Sequence, residues 1–379
     1  MKIDLWIPSL FESNGGIQAY SSYFVAALQS IAPSSQFRIF LKHDLPDRIV
    51  DKNNSRLTYY CSGKTPLKLR TPAYALQILQ QGFQDPPDLI IATHLNFTSA
   101  AWYLKKFAGI PYWTVAHGIE AWNIQNTALQ TALKQADRIL PGSYYTRDRL
   151  LKEQQLDPAK IFTLPNTFDS DVFQIGLKPA HLLQKYGLTS SQPIILTVAR
   201  LETSEQYKGY DKILMALPQI RQAIPDVHYL LVGKGNDRAR VERLIADLDL
   251  QDCVTLTGFV PDRELIDHYN LCDVFAMPSK GEGFGIVYLE ALACGKPTLG
   301  GNRDGAIDAL CHGELGALVN PDDVDEIARI LVQILQGTYP HPLMYQPELL
   351  RAKVIDTYGF DRFQQTLGNL LSDWQQQRA

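Results

Sequence analysis

Short apolar runs alternate with longer stretches in which apolar residues recur every three or four positions, and the alternation runs through the chain twice. In the first pass, runs at residues 3–9, 37–42, 57–61, 89–93, 112–116, 138–141 and 161–164 predict strands. The stretches between them, at 17–31, 72–83, 99–107, 127–136 and 143–154, predict helices. In the second pass strands are expected at 194–198, 229–232, 254–257, 274–277, 298–300 and 317–319. Helices are expected there at 210–224, 237–248, 262–271, 286–294, 304–311 and 324–336. Strand-then-helix alternation of this spacing predicts a parallel sheet with right-handed crossovers and helices on both faces. The expected fold class is therefore α/β, doubly wound, and built twice.

The two passes are separated by Leu164-Pro165-Asn166-Thr167-Phe168-Asp169-Ser170-Asp171-Val172-Phe173, a Pro/Asn/Asp-rich break. This places a first domain at 1–167 and a second at 168–358. The tail, 359–379, carries Phe363, Leu367, Leu370, Leu371 and Trp374 at helical spacing, an amphipathic helix expected to pack back toward the first domain. Ligands of doubly wound sheets bind beyond the carboxyl ends of the strands, so two facing sheets would hold a ligand in the cleft between them.

Length agrees with this division, since 379 residues exceed what one core usually supports. A hydrophobic share of 45% and a charged share of 20% are those of a globular domain, and no apolar run approaches a membrane span. The opening Met1-Lys2-Ile3-Asp4-Leu5-Trp6-Ile7-Pro8 has an acid inside its apolar stretch and reads as a first strand, not a leader. Cys61, Cys253, Cys272, Cys294 and Cys311 are scattered without metal-ligand spacing, as in a reducing cytoplasm. The net charge of −4 conceals an asymmetry. Residues 1–165 hold 17 Lys and Arg against 12 Asp and Glu, a net of +5, and the remainder holds 19 against 28, a net of −9. A basic first half suits an anionic or membrane-bound partner; an unevenly charged, solvated surface is the alternative.

The most informative stretch is Ser279-Lys280-Gly281-Glu282-Gly283-Phe284-Gly285, between the strand at 274–277 and the helix at 286–294. Its glycines let backbone approach a ligand, and the free amides at the helix start suit a phosphate or sugar oxygen. Glu282 in that loop and Glu290 one turn into the helix would both reach the mouth of a cleft. Arg200 ends the first strand of the second half and Lys208 precedes its helix, so the two cations could converge on one anionic group, Arg200 as a fork and Lys208 as a point charge. Thr257-Gly258-Phe259-Val260-Pro261 is a strand-to-helix turn whose backbone could meet a base edge while Phe259 or Val260 packs on its ring. In the first half, Asn14-Gly15-Gly16 precedes the first helix, and His117-Gly118 ends another strand at the same edge. Tight turns and a structural histidine are the competing readings.

Several patterns carry no chemistry. Asp169-Ser170-Asp171, Asp247-Leu248-Asp249 and Asp323-Val324-Asp325 repeat a metal-binding Asp-x-Asp three times, in a linker and two helical stretches, so no metal is assigned. Val232-Gly233-Lys234-Gly235-Asn236-Asp237-Arg238 lacks the third glycine of a dinucleotide fingerprint. No nucleic-acid module is visible.

Two glutamates separated by seven residues, Glu282 and Glu290, in this strand–loop–helix context resemble the donor motif of the family 4 (GT4) retaining glycosyltransferases. The resemblance runs through nearly the whole chain: the Gly-Gly loop, the His-Gly strand end, the linker, the Arg/Lys pair and the two-glutamate motif follow in the family's order. It implies a GT-B fold of two facing Rossmann-like domains, and transfer of a hexose from a nucleotide sugar with retention at the anomeric carbon. UDP-glucose is favoured over GDP-mannose, with a lipid-linked or polysaccharide acceptor, no cofactor and no metal. By position, Arg200 and Lys208 would stabilise the leaving diphosphate, and Glu290 would accept from the ribose hydroxyls. Glu282 with the amides of Gly283, Phe284 and Gly285 would orient the sugar. Gly258, Phe259 and Val260 would border the nucleobase. His117 would contact the sugar, Gly16 would approach the donor, and Asn14, Gly15 and Gly16 would shape the acceptor side. The implied location is the cytoplasm, with peripheral contact at the inner membrane leaflet through a rim including Lys64, Lys68 and Arg70. Two departures stand out: Thr167 where the family usually has Gly after Asn, and a polar Gly301-Asn302-Arg303-Asp304-Gly305 loop. A nucleotide-sugar epimerase of the same fold and a non-catalytic nucleotide-sugar-binding protein are the other readings.

Overall fold

The computed structural model describes residues 1–12, 15–49 and 54–378. The chain forms two units, one of Met1–Asn166 with Asp361–Ala379 and one of Thr167–Phe360.

The first unit has strands β1 (Lys2–Ile7), β2 (Gln36–Leu41), β3 (Leu57–Cys61), β4 (Leu89–Ala92), β5 (Tyr112–Ala116) and β6 (Arg138–Pro141). Its helices are α1 (Gly16–Ile31), α2 (Leu67–Gln84), α3 (Thr98–Ala108), α4 (Thr127–Gln135) and α5 (Tyr144–Gln154). The strands lie in the order β3-β2-β1-β4-β5-β6, all pairs parallel, with Leu5 of β1 opposite Ile39 of β2 and Ile91 of β4. Strands such as Leu89-Ile90-Ile91-Ala92 are apolar at every position because helices cover both faces of the sheet.

Two expectations change here. Residues 161–164 do not form a seventh strand: Ile161 bridges Ile139, Phe162 N donates to Ile139 O and Leu164 N to Pro141 O, both at 2.9 Å, and the pairing stops there. Helix α2 begins at Leu67, ahead of the expected Pro72. Pro72 is the sixth residue of the helix, so it forfeits the one bond that an amide there would donate to Lys68 O, and the helix continues through it.

The second unit has α6 (Ala180–Tyr186), β7 (Ile194–Val198), α7 (Tyr210–Ala223), β8 (His228–Val232), α8 (Arg238–Asp247), β9 (Val254–Gly258) and α9 (Asp262–Leu271). Next come β10 (Val274–Met277), α10 (Ile286–Ala293), β11 (Thr298–Gly301), α11 (Ala306–Ala309), β12 (Ala317–Val319), α12 (Val324–Leu335) and α13 (Pro347–Tyr358). The sheet order is β12-β11-β10-β7-β8-β9, again parallel throughout. In both sheets the winding direction reverses once, between β1 and β4 and between β7 and β10. Such a reversal opens a crevice beyond the carboxyl ends of its two strands, where doubly wound folds take ligands.

The last helix, α14 (Phe360–Gln376), buries Phe363, Leu367, Leu370, Leu371 and Trp374. Phe363 meets Tyr20 and Phe24 edge-on, and Trp374 meets Trp113, so residues 361–379 belong to the first core.

Candidate functional site

In the second unit the crevice between β7 and β10 collects most of the residues singled out above. Beyond β7 the chain stays extended through Arg200 because the loop after β8 holds it. Ala199 N donates to Val232 O at 2.9 Å, and Leu201 N donates to Lys234 O at 3.0 Å. Gly233 and Gly235 allow this approach: a Cβ would lie 1.8 Å from Ala199 O in one case and 2.1 Å from Leu201 O in the other. The glycines that fail as a dinucleotide fingerprint thus position Arg200. The following residues, Thr203–Lys208, wind as a 3-10 segment that brings Lys208 back over the strand ends.

The glycine-rich loop after β10 is held from three directions. Lys280 N donates to Tyr207 O at 2.9 Å, tying it to the 3-10 segment. Asp304, fully buried, accepts from Ser279 Oγ at 2.7 Å, Glu282 N at 2.7 Å and Ala306 N at 3.0 Å. Gly305 N donates to Glu282 O at 2.9 Å. Burial pushes the Asp304 carboxyl up to about 6 against the pull of these donors. The polar 301–305 loop, a departure from the family pattern in sequence, is therefore the support on which Glu282 stands.

On this frame four charged side chains meet. Lys208 Nζ donates to Glu282 Oε1 and lies 3.8 Å from Glu205 Oε2. Arg200 Nη2 pairs with Glu205 Oε1. The side chains of Lys208, Glu282 and Glu205 are 13%, 14% and 12% exposed, whereas Arg200 is 68% exposed. Arg200, Lys208 and Glu282 are brought together as the spacing suggested. Glu205 was missed, and an acid three residues before Lys208 in a segment closing on the strand ends was the available signal.

Glu290 lies on the second turn of α10, whose start is capped by Gly285 without a side-chain bond. Glu290 is half-buried: Tyr269 Oη donates to its Oε2 at 2.6 Å, and burial raises the carboxyl to about 7. Gly258 ends β9, and its carbonyl accepts from Gly233 N at 2.9 Å. Phe259 is exposed, with the Lys234 ammonium 4.7 Å from its ring centroid, while Val260 is buried in the core. Phe284 is also a core residue, packed edge-on against Tyr358, so its backbone alone can serve a ligand. The Asp-x-Asp acids cap turns and helices: Asp169 accepts from Asp171 N and Val172 N, and Asp323 caps α12.

In the first unit Gly15 caps α1, whose opening amides receive no side-chain cap. His117, at the end of β5, donates from Nε2 to Thr93 O at 2.7 Å. Its ring stands edge-on to Tyr20 of α1, with centroids 5.1 Å apart. His117 and the start of α1 thus share one sheet edge. Asn14 lies outside the described residues.

Residues 181–345 match the family model of glycosyl transferases group 1, and residues 32–172 match that of Glycosyltransferase Family 4. The chain is similar to a GDP-mannose-dependent alpha-(1-6)-phosphatidylinositol monomannoside mannosyltransferase of Mycolicibacterium smegmatis, 34% identical over 232 residues, 58% of this chain and 59% of that one. A Mycobacterium tuberculosis protein of the same description is 34% identical over 201 residues, 51% of each chain. The chain therefore spans between about half and three-fifths of the length of these relatives. Among solved structures, sucrose-phosphate synthase from Thermosynechococcus elongatus superposes with a TM-score of 0.82 over 98% of each chain at 21% identity. Anabaena HepE, solved with UDP and glucose, gives 0.79 over 98% of this chain and 100% of that one at 20% identity. At these identities the likeness concerns the fold, which is that of the GT-B glycosyltransferases.

Proposed function

We propose, from the premise that the chain belongs to the family 4 glycosyltransferases, that it transfers a hexose from a nucleotide sugar to a lipid-linked or polysaccharide acceptor. The observation that carries this reading is the convergence of Arg200, Lys208 and Glu282 where the second sheet reverses. Breaking the bond between the anomeric carbon and the diphosphate leaves negative charge on the departing group. Arg200 and Lys208 are fixed cations for that charge, and the uncapped amides at the start of α10 point the helix dipole the same way. No metal has to supply the neutralisation. Glu282, anchored through its backbone to Asp304 and Gly305, is suited to orient sugar hydroxyls, and Glu290 to accept from the ribose. Reaction with retention follows the family resemblance.

For the donor, the relatives named as GDP-mannose-dependent weigh toward GDP-mannose, against the sequence-based lean to UDP-glucose. The proposed lipid-linked acceptor is supported by an apolar, acid-free outer face on α2 and α3 in the first unit. The decisive experiment titrates the protein with GDP-mannose, UDP-glucose and their free nucleotides by thermal shift, followed by transfer assays with and without chelator. Saturating donor at about 100 times Kd should stabilise the fold by about 2.7 kcal/mol. Activity should survive chelation; loss with EDTA and rescue by Mn²⁺ would defeat the two-cation mechanism, and no shift with any donor would defeat the proposal.

A further inference from the structure

The cation pair of the proposed donor site is already engaged. Glu205 reaches Arg200 with one carboxylate oxygen and faces Lys208 with the other, while Lys208 is bonded to Glu282 on its far side. Two cations and two carboxylates sum to zero. We infer that Glu205 is a resident counter-ion that stands in for the donor's diphosphate and must release Arg200 and Lys208 when a diphosphate binds. This inference rests on reading the site as a nucleotide-sugar site.

A sugar nucleotide brings a doubly negative diphosphate, and a cluster of no net charge offers it little attraction until one carboxylate withdraws. Three features single out Glu205 as the group that yields. Glu282 is pinned at its backbone by Asp304 and Gly305, whereas Glu205 sits where its own segment departs from helical geometry, at φ −118° and ψ 21°. Glu205 Oε2 is buried yet receives no hydrogen bond among the described residues, so half of its carboxylate is held by charge alone. Its other partner, Arg200, is 68% exposed, so that pair is screened by water and weakly held. Turning Glu205 outward therefore loses the exposed pair with Arg200 and the 3.8 Å approach to Lys208, which keeps Glu282 as its partner, and exchanges an unbonded buried oxygen for a hydrated one. It leaves Arg200 and Lys208 to the diphosphate, and the same motion would favour diphosphate ligands over nucleosides, because only the former can take over both cations.

The test is calorimetric titration of the full chain with UDP and GDP, and with uridine and guanosine, for wild type, Glu205→Gln, Glu205→Ala and the control Glu202→Gln. Glu202 lies in the same segment, and its replacement removes the same charge. Both Glu205 variants should bind the accepted nucleoside diphosphate about tenfold tighter, the worth of one displaced charge-assisted contact. The nucleoside should bind as before, and Glu202→Gln should match wild type. Two Glu205 variants guard against one misfolding, which melting curves would reveal. Unchanged or weaker diphosphate binding by folded Glu205 variants would overturn the inference while leaving the site intact. Failure of wild type and variants alike to bind either diphosphate would overturn the nucleotide-sugar reading itself.

Discussion

At the scale of single residues, Glu290 sets two pH dependences of opposite sign. Burial holds its carboxyl at about 7, so the fold favours the protonated form. A raised folded-state value means that its stabilising contribution is complete at acid pH and is lost as pH rises through about 7. Accepting ribose hydroxyls, by contrast, is better done by the carboxylate. Between about pH 6 and about pH 8, wild type should lose melting temperature relative to Glu290→Gln while gaining nucleoside diphosphate affinity relative to it. The ligand's own phosphate titration is common to both proteins and cancels in the comparison. Parallel curves for the two proteins would remove Glu290 from the donor site. Arg200, Lys208, Glu282 and Glu290 were legible because each stands at a strand-to-helix junction that sequence periodicity locates. Glu205 and Asp304 were not, because their significance arises from partners that only folding brings near. The ring of Phe284 is claimed by Tyr358 on a distant helix, which leaves to a ligand only the backbone amide that the sequence reading named.

At the scale of elements, the glycine-rich loop is shaped less by its own glycines than by the neighbouring strand end. A Cβ on Gly301 would lie 1.7 Å from Ser279 O, and that oxygen belongs to backbone which cannot rotate away. Gly301→Ala should therefore push the whole 279–285 loop off its support. The expected cost is about 1–3 kcal/mol of stability, the usual range for overpacking, together with a loss of donor affinity out of proportion to it. Thermal melts and donor titration on one preparation would check both. Normal affinity in a destabilised variant would separate the loop's position from ligand binding. Element order and strand identity were readable in advance, since buried parallel strands and amphipathic helices have different periods. Ends were less so: α2 runs through Pro72 although the proline forfeits one intrahelical hydrogen bond, and the apolar run at 161–164 follows β6 through the bonds of Phe162 N to Ile139 O and Leu164 N to Pro141 O without becoming a full strand.

At the scale of the whole molecule, the excess of positive charge and an exposed apolar ridge fall in the same unit. Residues 361–379 add two acids and two bases, so the first unit keeps its excess of +5. Its helix α2 turns Tyr74, Ile78 and Gly82 inward, and Leu69, Leu76 and Phe83, seven residues apart, form the opposite ridge in water. Leu76 is 66% exposed. On α3, Tyr103 and Phe107 are exposed as well, and Lys106 lies over the rings of Trp102 and Phe107. Neither helix has an acidic residue. The basic rim expected from sequence is revised at one position: Arg70 is spent on Thr65 O, Gly63 O and His43, leaving Lys64, Lys68 and Lys106 as the cations of this face. No described helix is long and apolar enough to cross a membrane. An apolar ridge flanked by lysines fits instead the surface of an anionic bilayer, where each cation adds about 1 kcal/mol and salt weakens the attraction. The full chain should float with vesicles containing phosphatidylglycerol at low salt and less at high salt, and it should leave pure phosphatidylcholine behind. Leu69→Ser/Leu76→Ser/Phe83→Ser should abolish flotation at any salt, whereas Lys64→Ala/Lys68→Ala/Lys106→Ala should remove only its dependence on anionic lipid. Negligible flotation in every condition would discard the bilayer as partner and make a soluble glycan the better acceptor. Flotation untouched by either triple variant would move the contact elsewhere on the molecule.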